Sequence, residues 1–254
     1  MATLTHAAGS LPEWTHELEW NERRIRAFWE FAGSRPAFAH RFFAESAAPY
    51  IVRRALRVSR GPHRALDVGT GTGAVLRELV ARAVPSIGID VSSSLVRAAR
   101  ARQPSWGLTV LQADAGRLPF RGRCFSMVFM LELLEHLPSA VGDRVLDEAA
   151  RVLRPGGTLV VTTPAVEDLN TEITICPECG AVFHRTQHLR SFDLPILDAL
   201  VRRHGFHTVL AKGVDFNYLS SPLPLRMAKL LGGLVVPSNL LLIASRLRGM
   251  EGRP

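Results

Sequence analysis

Hydrophobic positions change rhythm twice along this chain. From residue 14 to 58 they recur at three-to-four spacing. Trp14, Leu18, Ile25, Phe28 and Trp29 precede the break Gly33-Ser34-Arg35-Pro36, and Phe38, Phe42, Phe43, Ile51, Val52 and Leu56 follow it. That period predicts helices, whose aromatic stripe is expected to pack against a sheet edge, with a substrate lining as the alternative. From Ala65 short apolar runs alternate with helical patterns, the signature of a parallel sheet covered on both faces. Strands are expected at 65–68, 86–89, 108–112, 125–131 and 158–163, and helices at 74–83, 93–102 and 141–153. After Pro164 the alternation gives way to a cysteine- and histidine-bearing stretch, then a helix at 194–204 and strands at 206–212 and 239–246. The expected organisation is an N-terminal helical cap over 1–60 and a domain over 61–254, with an insertion at about 165–193 and a helical cover at about 216–237. Within that cover, Leu223, Leu225, Met227, Leu230, Leu231, Leu234 and Val235 alternate with Arg226 and Lys229. A core-facing or capping helix is expected there, with dimerisation or peripheral membrane contact as alternatives.

Composition changes this picture little. With 254 residues, 47% hydrophobic and 21% charged, one large core suffices without disulfides or metals. No run approaches the roughly 18 apolar residues of a membrane span, and Glu13, Glu17 and Glu19 interrupt any leader-like stretch, so the cytoplasm is the expected compartment. A net charge of +8 raises the possibility of a nucleic-acid partner. Lysine occurs only at 212 and 229, however, and the nearest thing to a basic cluster is Arg97, Arg100 and Arg102 on one predicted helix, so nucleic acid is not favoured.

Chemistry concentrates at Asp67-Val68-Gly69-Thr70-Gly71-Thr72-Gly73, where a strand runs into alternate glycines and then a helix. Such a turn presents backbone N–H groups that no side chain shields. Gly69 to Ala74 also satisfies a dinucleotide pattern, with Asp90 placed for a ribose, so the turn alone leaves two cofactors open.

Further words follow in order: Gly88-Ile89-Asp90, Ala113-Asp114-Ala115 with Leu118-Pro119-Phe120, Leu134-Glu135-His136-Leu137, and Arg151-Val152-Leu153-Arg154-Pro155-Gly156-Gly157. In these the chain resembles the class I S-adenosylmethionine-dependent methyltransferases, closely over about 64–163 and loosely beyond. The resemblance implies an α/β, Rossmann-like, seven-stranded and mostly parallel sheet with helices on both faces, an N-terminal helical extension and a Cys/His insertion after the fifth strand. It implies S-adenosylmethionine as cofactor and a small-molecule substrate, with an RNA or protein methyltransferase, or a noncatalytic cofactor-binding assembly protein, as the alternatives. Gly69, Gly71 and Gly73 would border the methionine portion, and Asp67 would orient the loop or reach the methionine amino group. Asp90 would take the ribose hydroxyls and Asp114 the adenine amino group, with Ala115 and Leu131 beside them. One departure is Phe125-Ser126, where the family commonly has Phe-Asp.

Methyl transfer from a sulfonium needs alignment and, for some acceptors, a base. His136 and Glu135 are the candidate catalytic residues, a brace for the loop being the bland alternative for His136. Glu132-x-x-Glu135-His136 is also similar to a segment of ubiquinone-pathway O-methyltransferases that a divalent ion assists. Cys176-Pro177-Glu178-Cys179-Gly180 has the form of a zinc knuckle, and His184 and His188 complete four ligands for a structural zinc wrapped by a compact loop with little secondary structure. Cys124 is expected to be a small core residue.

Overall fold

A computed structural model of the chain describes residues 14–35, 43–102, 109–231, 233 and 236–247. Phe38, Phe42, Leu108, Leu234 and Val235 of the hydrophobic pattern lie outside the described residues. The alternating region forms the parallel strands β2 (Ala65–Val68), β3 (Ser86–Asp90), β4 (Thr109–Gln112), β5 (Phe125–Leu131) and β6 (Leu153–Pro164). With β9 (Phe206–Val214) and β10 (Asn239–Arg246) they make a seven-stranded sheet in the order β4-β3-β2-β5-β6-β10-β9, β10 running antiparallel to both neighbours. Strands β2 and β5 are buried along their whole length, as a sheet covered on both faces requires. Alternate side chains feed opposite cores. Leu66, Val68, Val128 and Met130 meet α5 (Ser139–Val152) and α6 (Leu194–Arg203), while Ala65, Met127 and Phe129 meet α2 (Ala44–Val58) and α3 (Ala74–Val80).

The strand order reverses between β2 and β5, which opens a crevice at their carboxyl ends. Two further helices flank it. In α1 (Glu22–Gly33) the Asn21 side chain accepts from the Arg24 N–H, and in α4 (Ser93–Ala101) Ser92 accepts from the Leu95 N–H, each satisfying a helix-end donor.

Three expectations are corrected. The N-terminal region is not wholly helical, since β1 (His16–Glu17) pairs in parallel with Ala181 and Val182. The insertion is not a loop: β7 (Ile173–Ile175) and β8 (Ala181–His184) form an antiparallel hairpin that β1 completes into a three-stranded sheet. Gly180 makes this docking possible, since its φ is +73° and a Cβ there would lie 2.2 Å from the Trp14 carbonyl oxygen. The cover segment forms α7 (Phe216–Ser220) and α8 (Leu223–Leu231), but Leu223, Leu225, Met227, Leu230 and Leu231 are exposed rather than core-facing. The anchor is instead Phe216, whose ring meets Phe43 at 4.8 Å and Tyr50 at 5.9 Å. Among the described residues no helix is long and apolar enough to cross a membrane.

Behind the glycine turn the packing leaves no slack. A Cβ on Gly88 would lie 2.6 Å from Leu76 Cδ1 and 2.8 Å from Thr70 Oγ1. Gly88→Ala is therefore expected to cost about 1–3 kcal/mol by overpacking, read as a lower midpoint in chemical denaturation at unchanged slope.

Candidate active site

The carboxyl ends of β2, β3 and β4 carry the turn and its acids. Gly69, Gly71 and Gly73 have φ of +72°, +53° and +78°, so the chain folds back on itself before entering α3, with the Gly69 and Thr70 N–H groups donating to the Ile89 carbonyl. A Cβ at Gly71 would meet nothing within 4 Å, so the space over the turn is open. Asp90 fixes the turn from the neighbouring strand: its Oδ2 accepts from the Gly71 N–H at 3.0 Å and its Oδ1 from the Ser92 N–H at 2.9 Å. Asp67 accepts from the Thr70 hydroxyl at 2.7 Å. Burial pushes Asp67 up to about 7, the charge of Asp90 adding to it, and burial pushes Asp90 up to about 6 against the hydrogen bonds from Ser92 and Gly71. Asp114 sits across the cavity on an exposed turn, where its Oδ1 accepts from the Gly116 N–H at 2.8 Å. Ala115 and Leu131 line the same cavity. Ser126, in place of the family's aspartate, is buried away from it and accepts from the Arg64 N–H at 2.8 Å, tying the entries of β2 and β5 together.

The far wall comes from the segment after β5. Glu132 has φ +49°, a left-handed conformation that a non-glycine residue rarely adopts, and its N–H donates to the Thr162 carbonyl at 3.0 Å. The next turn, Leu134–His136, is a short 3-10 helix buried throughout. His136 lines the cavity, and burial together with nearby His188 pushes its pKa down to about 3, so the imidazole is neutral. Glu135 lies behind it, fully buried, with neither carboxylate oxygen hydrogen-bonded.

The predicted zinc set is divided by the hairpin register. Cys176 and Cys179 lie at the tip, where the Gly180 N–H donates to the Cys176 carbonyl, whereas His184 pairs with Ile173 at the opposite end. The histidines meet carboxylates instead. Among the described residues, ligand atoms of Glu135, His136 and His188 lie within 4.8 Å of one another, as do those of Glu167, His184 and His188. Cys124 is half-buried beside the main core, as expected of a small packing residue. Arg97, Arg100 and Arg102 do not form a free basic face: Arg97 reaches the Ser93 and Ser94 hydroxyls, Arg100 the Val110 carbonyl and Arg102 the Glu45 carboxylate.

Gln187 and Glu30 hold the site without having been singled out from the sequence, and Trp29 takes the alternative given for its aromatic stripe. Trp29, expected in the packing stripe, lines the cavity; its ring meets His136 at 4.7 Å and its Nε1 donates to the Gln187 side chain at 2.9 Å. Gln187, at φ +62°, donates back to the His136 carbonyl at 2.8 Å. Glu30 clamps α1 onto the start of α4, accepting from the Ser92 and Ser93 hydroxyls at 3.1 and 2.8 Å and from the Ser94 N–H and hydroxyl. Partial burial would raise its pKa, but these hydrogen bonds outweigh that and hold it at about 2. The serine run 92–94 was a legible signal for a buried acceptor, but nothing in the sequence named Glu30 as its partner.

A glycine turn fastened by a buried acid, at the switch point of a sheet with this strand order, is the arrangement that the resemblance to the class I S-adenosylmethionine-dependent methyltransferases implies. In sequence, residues 66–161 match the methyltransferase domain family, a stretch well under half of the chain. A demethylmenaquinone methyltransferase of Tropheryma whipplei is 38% identical over 96 residues, covering 38% of this chain and 39% of the relative. A probable tRNA methyltransferase 9B of Bos taurus is 33% identical over 137 residues, covering 50% of this chain and 29% of the relative. The matched stretches thus span well under half the length of these curated relatives. In three dimensions the chain resembles a Haloferax volcanii methyltransferase solved with the Trm112 methyltransferase activator, at TM-score 0.66 and 19% identity over 90% of this chain and 100% of that one, a likeness of fold.

Glu30→Ala is expected to loosen the cap without touching the sheet. Hydrogen bonds to a charged acceptor, discounted for partial exposure, are worth roughly 1 kcal/mol here, so amide exchange in α1 should rise about fivefold while that of β5 stays unchanged by mass spectrometry.

Proposed function

We propose that the protein transfers the methyl group of S-adenosylmethionine to a small molecule, such as a natural product, sugar or lipid-linked intermediate. The observation that carries this reading is the open space over Gly71, bordered by a buried Asp90 and an exposed Asp114 at the ends of adjacent strands. A carboxylate with two oxygens suits the two ribose hydroxyls, so Asp90 is the ribose acceptor and Asp114 the acceptor for the adenine amino group. Gly69 and Gly71 border the methionine portion on the cavity wall, with Gly73 behind them; Asp67 orients the turn through the Thr70 hydroxyl, and Ala115 and Leu131 flank the base. When bound, the cofactor supplies a methyl carbon already activated by the adjacent sulfonium, so the residues around it have to align the acceptor and exclude water. Ile25, Trp29, Leu133, Leu137 and Val141 give the cavity an apolar wall suited to an acceptor of modest size. His136, with Glu135 behind it, stands on the cavity wall beside the acceptor, and with its pKa pushed down to about 3 by burial its part is to orient the acceptor as a neutral imidazole.

The tRNA methyltransferase relative favours RNA as a second reading. Against it stand the engaged arginines of α4 and the cap of α1 over the cavity. Tritium from labelled cofactor should enter the organic-extractable fraction of a cell extract. Label in the RNA fraction, with binding that weakens steeply with salt, would instead establish the second reading.

Cofactor binding gives a direct test. S-adenosylhomocysteine should bind in calorimetry, and Asp90→Ala should weaken it by at least about tenfold, since even one charge-assisted hydrogen bond is worth roughly 1.5–3 kcal/mol. Ribose hydroxyls donate to the ionised carboxylate, whose pKa is raised to about 6. Affinity should therefore be full above pH 7 and decline as the pH falls through 6, the protonated acid accepting poorly. Binding of a nicotinamide dinucleotide in place of S-adenosylhomocysteine would overturn the proposal.

A further inference from the structure

The structure assigns to the cover of α7 and α8, with the basic patch at its root, a further role as a docking surface for an anionic membrane. The cover leaves the sheet at Val214 and returns at Asn239, which pair with each other, and Asn239 also pairs with Pro164 at the end of β6. It therefore rises from the same carboxyl edge that carries the cavity. Its root touches the cavity wall twice, through Phe216 against Phe43 and through the Asn239 side-chain amide, which donates to Glu132 Oε2 at 3.1 Å. A helix that merely capped the site would turn its apolar side inward, and α8 does the reverse. Leu223, Met227, Leu230 and Leu231 recur at the i, i+4, i+7 and i+8 positions of one helical stripe, and they are 69, 47, 55 and 83% exposed. Arg226 and Lys229 follow one border of that stripe, so their stems run beside it while their charges stay in water.

Charge decides what covers the stripe. Between residues 216 and 247 the sequence has no Asp or Glu. At the root of the cover Tyr50 gathers three cations: Lys212 Nζ donates to its hydroxyl at 2.8 Å and Arg54 Nε at 3.3 Å, and the Arg53 guanidinium stands 6.0 Å from the ring centre. Tyr50 in turn packs against Phe216 of α7. Among the described residues none of Arg53, Arg54, Lys212, Arg226 and Lys229 forms an ion pair with a carboxylate. Three positive groups around one ring repel one another, and an anionic surface relieves that repulsion. An exposed apolar stripe bordered by cations, with no acid on the element, is the pattern of a helix that lies in the plane of the lipid headgroups. A second copy of the same surface would bring these cations face to face, so self-association is disfavoured. On the methyl-transfer reading, on which this consequence alone rests, an acceptor dissolved in the bilayer reaches the apolar cavity wall without crossing water.

The test uses the full chain without cofactor, whereas S-adenosylhomocysteine calorimetry reads the cofactor site, so either can fail alone. Co-sedimentation is measured with vesicles of phosphatidylcholine and with vesicles of phosphatidylcholine mixed with phosphatidylglycerol. The chain should bind the mixed vesicles at least about tenfold more tightly than the neutral ones, with an affinity that falls as salt is raised. Leu230→Glu/Leu231→Glu should weaken binding to the mixed vesicles by at least about tenfold. Arg53→Glu should weaken it by about fivefold or more. All three side chains are exposed, so the melting temperature should not change in either variant. The preference for anionic over neutral vesicles is read on the unaltered chain, so it decides the matter even if a variant fails to fold. Equal binding to both vesicle types, binding to neither, or undiminished binding by a folded Leu230→Glu/Leu231→Glu variant would overturn the assignment. So would a dimer of the unaltered chain, seen by light scattering, that this variant breaks.

Discussion

The grip of Asp90 on the glycine turn is the contact on which the rest of the site depends. One carboxylate, buried at the end of β3, holds the Gly71 N–H with one oxygen and the Ser92 N–H with the other. It thereby joins the turn that follows β2 to the start of the helix that follows β3. The main-chain N–H groups of Gly69 and Thr70, both donating to the Ile89 carbonyl, bring the same strands together one residue earlier. A carboxylate kept this dry sits above its ordinary pKa, a cost tolerated where an acid must be ready to accept hydrogen bonds from a ligand.

Around that fixed point the remaining elements act as a clasp. The insertion contributes Gln187 and His188, the segment after β5 contributes Glu135 and His136, and α1 contributes Trp29 and Glu30. Trp29, Gln187 and His136 close a ring of contacts in which an aromatic edge, a side-chain amide and a backbone carbonyl each depend on the others. The strained backbones of Glu132 and Gln187 both lie on this ring or at its border, where surrounding hydrogen bonds over-determine them.

Much of this was legible in the sequence, for stated reasons. The parallel strands could be read because both faces are covered, so that Ala65-Leu66-Asp67-Val68 and Phe125 to Leu131 are near-continuous apolar runs. Asp90 could be placed because it ends β3, whereas Asp114 lies two residues beyond β4 and was legible only through the resemblance. What stayed hidden was long-range pairing. Nothing in His16-Glu17 reads as a strand, because its partner lies in the insertion, and the hairpin of β7 and β8 is too short and too interrupted by polar residues to announce itself. The spacing of Cys176, Cys179, His184 and His188 suggested one ion because spacing along the chain says nothing of strand direction. An extended strand between Gly180 and His184 carries the second pair away from the first.

Pairing of His16 with Ala181 also has a kinetic meaning. The two residues are 165 positions apart (181 − 16 = 165), so the sheet that carries the insertion is completed by the first described segment of the chain. During synthesis that segment emerges early and waits, unpaired, while the central strands are laid down. The closure entropy of so long a loop has to be met before the pairing gives anything back. The pairing of β1 with β8 is therefore among the contacts of highest sequence separation in the chain, whereas β2 and β3 of the central sheet pair across a short connection.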